Sequence, residues 1–287
     1  MKEQKYVLKK QDSFELKDIF ECGQCFRWNR EADGSYTGVF KGNVLNVKKE
    51  DENIIFTGMV NGDIKDVVTE YFDLDRDYSK IKEELSKIDI YLKESIQYGS
   101  GIRLLNQDLW ETIISFIISA NNNIPRIKGI VERLAEKYGD KIVWKGKKYY
   151  SFPKPEQLKD ATVEEFRDLG LGFRDIRLYE TTKMVLENKI DLEKLHSEPT
   201  FEVREKLLQL SGVGPKVADC ILLFSTLKRF DVFPIDVWVR RVMNELYIKN
   251  EDENKVNKNE IMKIAREKFG DLEGIAQQYL FYWKREA

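Results

Sequence analysis

Apolar and polar residues alternate in short runs between residues 25 and 60, and helical spacing dominates the chain beyond them. The runs are 26–28, 36–40, 44–47 and 54–60, separated by turn signals at Asp33-Gly34, at Lys41-Gly42-Asn43 and over residues 50–53. A period of two around such turns predicts an antiparallel meander with one solvated face.

From Asp63 onward the spacing is helical. Residues 108–120, DLWETIISFIISA, are apolar nearly all round and predict a central buried helix. It stops at Asn121-Asn122-Asn123, and Pro125 falls in the first turn of a helix over 124–138. Further helices are expected at 162–168, 174–187, 201–210, 215–225, 236–247, 259–268 and 274–284. The expected class is α+β, a small antiparallel β-sheet N-terminal domain followed by an all-helical part.

With 287 residues, 42% hydrophobic and 12% aromatic, the chain has material for a real core, which excludes disorder as its main description. Lys and Arg number 48 against 50 Asp and Glu, a net charge of -2, so a histone-like polycation is excluded and composition points to no nucleic-acid partner. Three scattered cysteines form no disulfide framework, which favours a reducing cytosol. The start lacks the apolar run of a signal peptide, and no run approaches the ~18 residues of a membrane span. A globular protein of the cytosol, with no membrane partner, is expected.

Cys22-Gly-Gln-Cys25 is a C-x-x-C, but only Cys220 and His196 remain as further thiol or imidazole ligands. A structural zinc site needs four ligands, and a redox role would want a βαβ setting, so two incidental cysteines are the better reading. Leu210-Ser-Gly-Val-Gly-Pro-Lys216 lies between two helical runs and reads as a helix–hairpin–helix. Gly212 and Gly214 permit positive φ or close approach, and amides at such a helix start can hold a phosphate. An ordinary helical hairpin using glycine only to turn fits the hairpin equally well. Lys216 stands in the first turn, where the helix dipole and partial burial favour a neutral, nucleophilic amine. Asp236, twenty residues later in Phe233-Pro-Ile-Asp236, is placed to cap the following helix.

Together these residues resemble the helix–hairpin–helix DNA glycosylases, and within them the 8-oxoguanine DNA glycosylases with AP-lyase activity. The resemblance runs from about Gly23 to Phe281, through GQCFRW (23–28), GIRLLNQD (101–108), SANNNIPRI (119–127), LGLGFR (169–174), GVGPKVADC (212–220), PIDV (234–237) and AQQYLF (276–281). The iron–sulfur cysteine cluster of the endonuclease III and adenine-glycosylase branches is absent. The resemblance implies a two-part helical core, with residues 1–80 as the β domain, 110–217 carrying the hairpin, 81–109 with 218–287 as the second part, and the active site between the helical parts.

The resemblance also implies roles. Lys216 is the nucleophile on C1′, and Asp236 the carboxylate that stabilises oxocarbenium character at the sugar. The Gly23 carbonyl accepts the N7 proton that 8-oxoguanine has and guanine lacks, a difference worth ~1–3 kcal/mol. Gln277 reads the Watson–Crick edge of the flipped base, and Phe281 and Cys220 sandwich its faces. Asn121 fills the vacated space, Arg126 and Arg174 read the orphaned cytosine, and Phe173 wedges beside it. Gly212, Gly214 and Trp238 face DNA phosphates. Phe173 stands where the eukaryotic enzymes have tyrosine, and Trp238 where they have histidine. No metal or cofactor is implied; the partner is double-stranded DNA containing 8-oxoguanine, bound by a monomer in a bacterial or archaeal cytosol or nucleoid. The alternatives are a glycosylase for another damaged base, such as an alkylated purine, or a non-catalytic DNA-binding module. Residues 121–150 carry eight Lys/Arg against three Asp/Glu and are expected near DNA, whereas 50–90 carry five against twelve and are expected away from it.

Overall fold

The structure, a computed structural model, describes residues 1–252 and 255–286. It opens with β1 (Lys2–Lys9), α1 (Leu16–Phe20), β2 (Trp28–Arg30), β3 (Tyr36–Phe40), β4 (Asn43–Glu50) and β5 (Asn53–Val60). These strands form one antiparallel sheet in the order β1-β5-β4-β3-β2. β1 lies outside the expected meander. Its sequence is mostly polar, and Tyr6 and Leu8 alone pack on the sheet core, Tyr6 stacked at 6.0 Å on its register partner Phe56. An edge strand covered on one side needs no more apolar residues than that. Phe14, Phe20, Trp28, Phe56 and Phe72 fill the core beneath, closed by α2 (Ile64–Tyr71). Trp28, 1% exposed, donates its indole N–H to the Tyr71 hydroxyl at 3.0 Å.

The helical part contains α3 (Tyr78–Ser86), α4 (Ile90–Tyr98), α5 (Leu109–Ser119) and α6 (Ile124–Tyr138). α5 is the buried helix its composition requires, with every residue from Leu109 to Ile118 buried and Asp108 capping it on the Glu111 N–H at 2.8 Å. Asn123 caps α6 on the Arg126 N–H at 3.0 Å, with Pro125 in the first turn.

This part is not wholly helical. β6 (Lys141–Trp144) and β7 (Lys147–Tyr150) form a hairpin turned at Lys145-Gly146, both with positive φ. Ile142 and Trp144 face Val39 and Val44 of the first sheet, so the hairpin ties the two layers together. The alternation in KIVW before a Lys-Gly turn is the strand signal that the helical reading passes over.

α7 (Val163–Asp168), α8 (Asp175–Leu186), α9 (Thr200–Leu207), α10 (Pro215–Phe224), α11 (Val237–Met243), α12 (Lys258–Phe269) and α13 (Glu273–Glu286) complete the chain. α11 is shorter than the run 236–247 predicts, because residues 244–248 widen into a π-helical turn. Residues 103–107 form an extended splint between the two parts. There Arg103, 1% exposed, donates to the carbonyls of Asp12, Ser13 and Asp73. Among the described residues no helix is long and apolar enough to cross a membrane.

Candidate active site

α9 and α10 make the expected hairpin, and its two glycines serve different ends. Gly212 has φ +85, and a Cβ there would lie 2.9 Å from Cδ of Arg177 and 3.2 Å from Cγ2 of Ile117. Gly214 has φ -93 and nothing within 4 Å of where its Cβ would stand. It is the N-cap of α10 and supplies no capping side chain, so the positive end of the helix faces outward.

Lys216, half-buried, sits with Nζ 5.4 Å from the centre of the Phe116 ring and within hydrogen-bonding reach of Cys220, one turn on. Burial pushes the Cys220 thiol up to about 11, against the nearby Lys216 charge, and the Asp219 and Asp236 carboxylates add to the rise. That thiol is a protonated packing surface rather than a nucleophile. Asp236 caps α11 as expected, its Oδ1 accepting the Val239 N–H at 2.8 Å. The other half of the site lies across α11. Val239 and Met243 line a narrow gap with Gln277 and Phe281 of α13. Gln277 is 5% exposed, and its Oε1 has no hydrogen-bond partner among the described residues. Such a buried orphan acceptor is costly unless a ligand fills it. Gly23, at φ +89, closes the circle: a Cβ there would lie 3.5 Å from Cε1 of Phe281 and 3.0 Å from Nη1 of Arg285. Lys216 and Cys220 thus adjoin on α10 with the Asp236 charge nearby, Gly23, Phe281 and Gln277 adjoin on the other side, and Val239 of α11 takes part in both the Asp236 cap and the Gln277 gap.

A second cluster lies at the α5–α6 turn. Asn121 is exposed and left-handed at φ +51. Arg126 is exposed, with Nη2 3.2 Å from the Gly170 carbonyl. Arg174, expected to read the orphaned cytosine with Arg126, is held within the turn. It is 1% exposed and donates to the carbonyls of Ala120 at 2.8 Å, Asn121 at 2.7 Å and Leu171 at 3.2 Å. Its guanidinium fixes the turn that presents Asn121. Phe173 is 54% exposed, with the Arg174 and Arg177 guanidinium carbons 4.2 Å and 5.1 Å from its ring centre. Arg177, which the sequence reading missed, thus touches both Phe173 and the hairpin at Gly212; its position four residues after Phe173 is the signal available. Trp238, 49% exposed, follows Asp236 at the start of α11.

Cys22 and Cys25 are free and fully buried, and their thiols donate to the Ile19 and Phe20 carbonyls. Burial pushes Cys22 up to about 12 and Cys25 higher still, which suits structural thiols and not a redox pair.

Residues 6–113 match a family model described as 8-oxoguanine DNA glycosylase, N-terminal domain, and residues 114–269 one described as HhH-GPD superfamily base excision DNA repair protein. The N-glycosylase/DNA lyase of Saccharomyces cerevisiae is 32% identical over 284 residues, covering 90% of this chain and 73% of its own. The apo 8-oxoguanine glycosylase/lyase of Clostridium acetobutylicum superposes with a TM-score of 0.92 at 44% identity, over 98% of both chains. MBOgg1 in complex with a low-affinity DNA ligand gives 0.93 at 48% identity, covering 100% of this chain and 99% of that one.

Proposed function

The chain belongs to the HhH-GPD superfamily of base excision DNA repair proteins, and from that premise we propose that it excises 8-oxoguanine from opposite cytosine in duplex DNA and then cleaves the strand. The observation that carries this reading is the buried Gln277, whose unpartnered Oε1 lies in a gap lined with Phe281 and with Val239 of α11, the helix that Asp236 caps.

The Lys216 Nζ lone pair bonds to C1′ while the C1′–N9 bond breaks, Nζ gives up a proton, and the base leaves with the electron pair of the broken bond and takes up a proton. Ring opening of the sugar gives a Schiff base on Nζ, and loss of the C2′ proton expels the 3′ phosphate by β-elimination. The Asp236 carboxylate stabilises the oxocarbenium character that develops at the sugar as the C1′–N9 bond breaks. Gln277 and the Gly23 carbonyl supply the hydrogen bonds that select the base, with Phe281 and Cys220 on its faces. Asn121, Arg126 and Arg174 serve the opposite strand, with Phe173 as wedge, and Arg174 also holds the Asn121 turn. Gly212, Gly214 and Trp238 face the phosphates.

The protein would act as a monomer in the cytosol or nucleoid of a bacterium or archaeon. Its units are residues 1–80, 110–217, and 81–109 with 218–287. The packing of Tyr98 on Tyr282 at 5.5 Å supports joining α4 to α13, and α10 crosses residue 217 and is shared. Borohydride should trap a covalent adduct on an 8-oxoguanine:C duplex, and Lys216→Gln should abolish it. Wild-type cleavage by Lys216→Gln, or preference for a methylated purine across a lesion panel, would overturn the reading.

A further inference from the structure

The Gly23 carbonyl can discriminate only if its peptide keeps one face toward the base. Gly23 has φ +89 and no Cβ, so its backbone alone gives little resistance to a flip that would present an N–H instead. The structure supplies that resistance from both sides. Gln278 of α13 donates Nε2 to the Cys22 carbonyl at 2.7 Å, and Gln107 of the splint donates Nε2 to the Gln24 carbonyl at 2.7 Å. The Gln24 side chain locks the same loop, donating to the Ile19 carbonyl at 2.8 Å and the Arg103 carbonyl at 2.9 Å and accepting the Leu105 N–H at 2.8 Å. The three glutamines are 0%, 9% and 1% exposed in chain order. Gln107 Nε2 also reaches the carbonyl of Phe224 at 3.0 Å, the last residue of α10, which carries Lys216 in its first turn. One amide thus ties the loop carrying Gly23 to the nucleophile's helix.

We propose that Gln107 and Gln278 are positioning residues for lesion choice: by holding the carbonyls on either side of Gly23, they fix the Gly23 peptide in the orientation that accepts a proton from N7. This rests on Gly23 as the reader of N7, and the test separates the two claims. Wild-type enzyme is compared on 8-oxoguanine and on 8-bromoguanine, which keeps a bulky C8 substituent but has no N7 proton. Equal excision of both would sink the Gly23 reading itself.

Gln278→Met and Gln107→Leu remove the donors at similar volume, and each is assayed in single turnover on 8-oxoguanine:C and on a preformed abasic site opposite C. The abasic site has no base to read, so a lost orientation should not affect it. The expected result is a loss of about tenfold or more in 8-oxoguanine excision, with abasic-site trapping within about twofold of wild type. Equal loss on both substrates would mean that the glutamines only hold the fold, and no loss in either variant would mean that they position nothing; each overturns the proposal while leaving the Gly23 reading intact.

Discussion

Replacing Asp236 separates two jobs done by one carboxylate. Its Oδ1 caps the seven-residue α11 through the Val239 N–H at 2.8 Å, and its charge lies beside Cys220 and so beside the reacting amine. Asparagine caps a helix as well as aspartate does, whereas alanine costs about 1 kcal/mol. In a chain of this size that is about 2 °C of melting temperature. Asp236→Asn should therefore melt with wild type and Asp236→Ala about 2 °C lower. The chemistry should not follow that order. A unit charge about 4 Å from a developing cation contributes about 4 kcal/mol at the effective dielectric of a partly exposed site. Losing most of it slows excision about 10²- to 10³-fold, in both variants alike. Single-turnover excision on 8-oxoguanine:C duplex, read beside thermal unfolding, tests this directly. If Asp236→Asn excises within about threefold of wild type, the carboxylate is only a cap and the electrostatic role is refuted.

The two hairpin glycines should respond oppositely to alanine. Gly212→Ala forces a left-handed alanine against Arg177 and Ile117 and should cost about 2 kcal/mol or more in unfolding experiments, whereas Gly214→Ala, facing open space, should melt near wild type yet bind duplex more weakly by anisotropy. Unchanged DNA binding by Gly214→Ala would show that no phosphate approaches there. Glu111 governs a pH dependence of stability. Burial pushes its carboxyl up to about 8, against the attraction of Arg27, so between the usual carboxylate range and pH 8 the folded state holds a proton that the unfolded state has released. Its contribution to stability is present at acid pH and lost as pH rises through about 8, by up to about 1.4 kcal/mol per pH unit; denaturant unfolding from pH 5 to 8 should show this slope, and Glu111→Gln should flatten it. Finally, the log–log salt dependence of duplex binding should fall well short of the slope of about -9 expected for ten phosphate contacts.

The fold was legible where pattern and packing agree. The four alternating runs between 25 and 60 lie in a meander, and α5 is buried because its sequence leaves it no polar face. What escaped were elements whose partners lie elsewhere in the chain. β1 is nearly all polar and is a strand because β5 offers an edge, and the hairpin 141–150 is short and anchored by Ile142 and Trp144 on another sheet. In the site, the reactive residues had motif spacing to announce them, but their supports did not. The resemblance assigns Arg174 to the orphaned cytosine, but nothing in the local sequence announces that its donors also reach three backbone carbonyls. Gln107 and Gln278 carry no local signal, because their partners are 83 and 256 residues away in sequence.

The same distinction changes how the charge distribution is understood. The basic excess of residues 121–150 looks like a DNA footprint when counted along the chain, yet much of it is used inside the protein. Lys128 donates to the Trp28 carbonyl at 2.5 Å, Arg133 to the Leu169 carbonyl at 2.9 Å, and Lys137 pairs with Glu165 at 2.9 Å. Lys141, Lys145, Lys147 and Lys148 ride on the β6–β7 hairpin beyond α6, whose fifteen residues put its far end about 22 Å from Asn123. Arg126 remains, exposed beside the Asn121 turn. A net charge of -2 is then no obstacle to holding DNA, because the grip proposed for this enzyme comes from the open amide end of α10 and a few side chains around one flipped nucleotide. Such a grip is local and weakly screened, which suits an enzyme that must leave undamaged duplex as readily as it binds it.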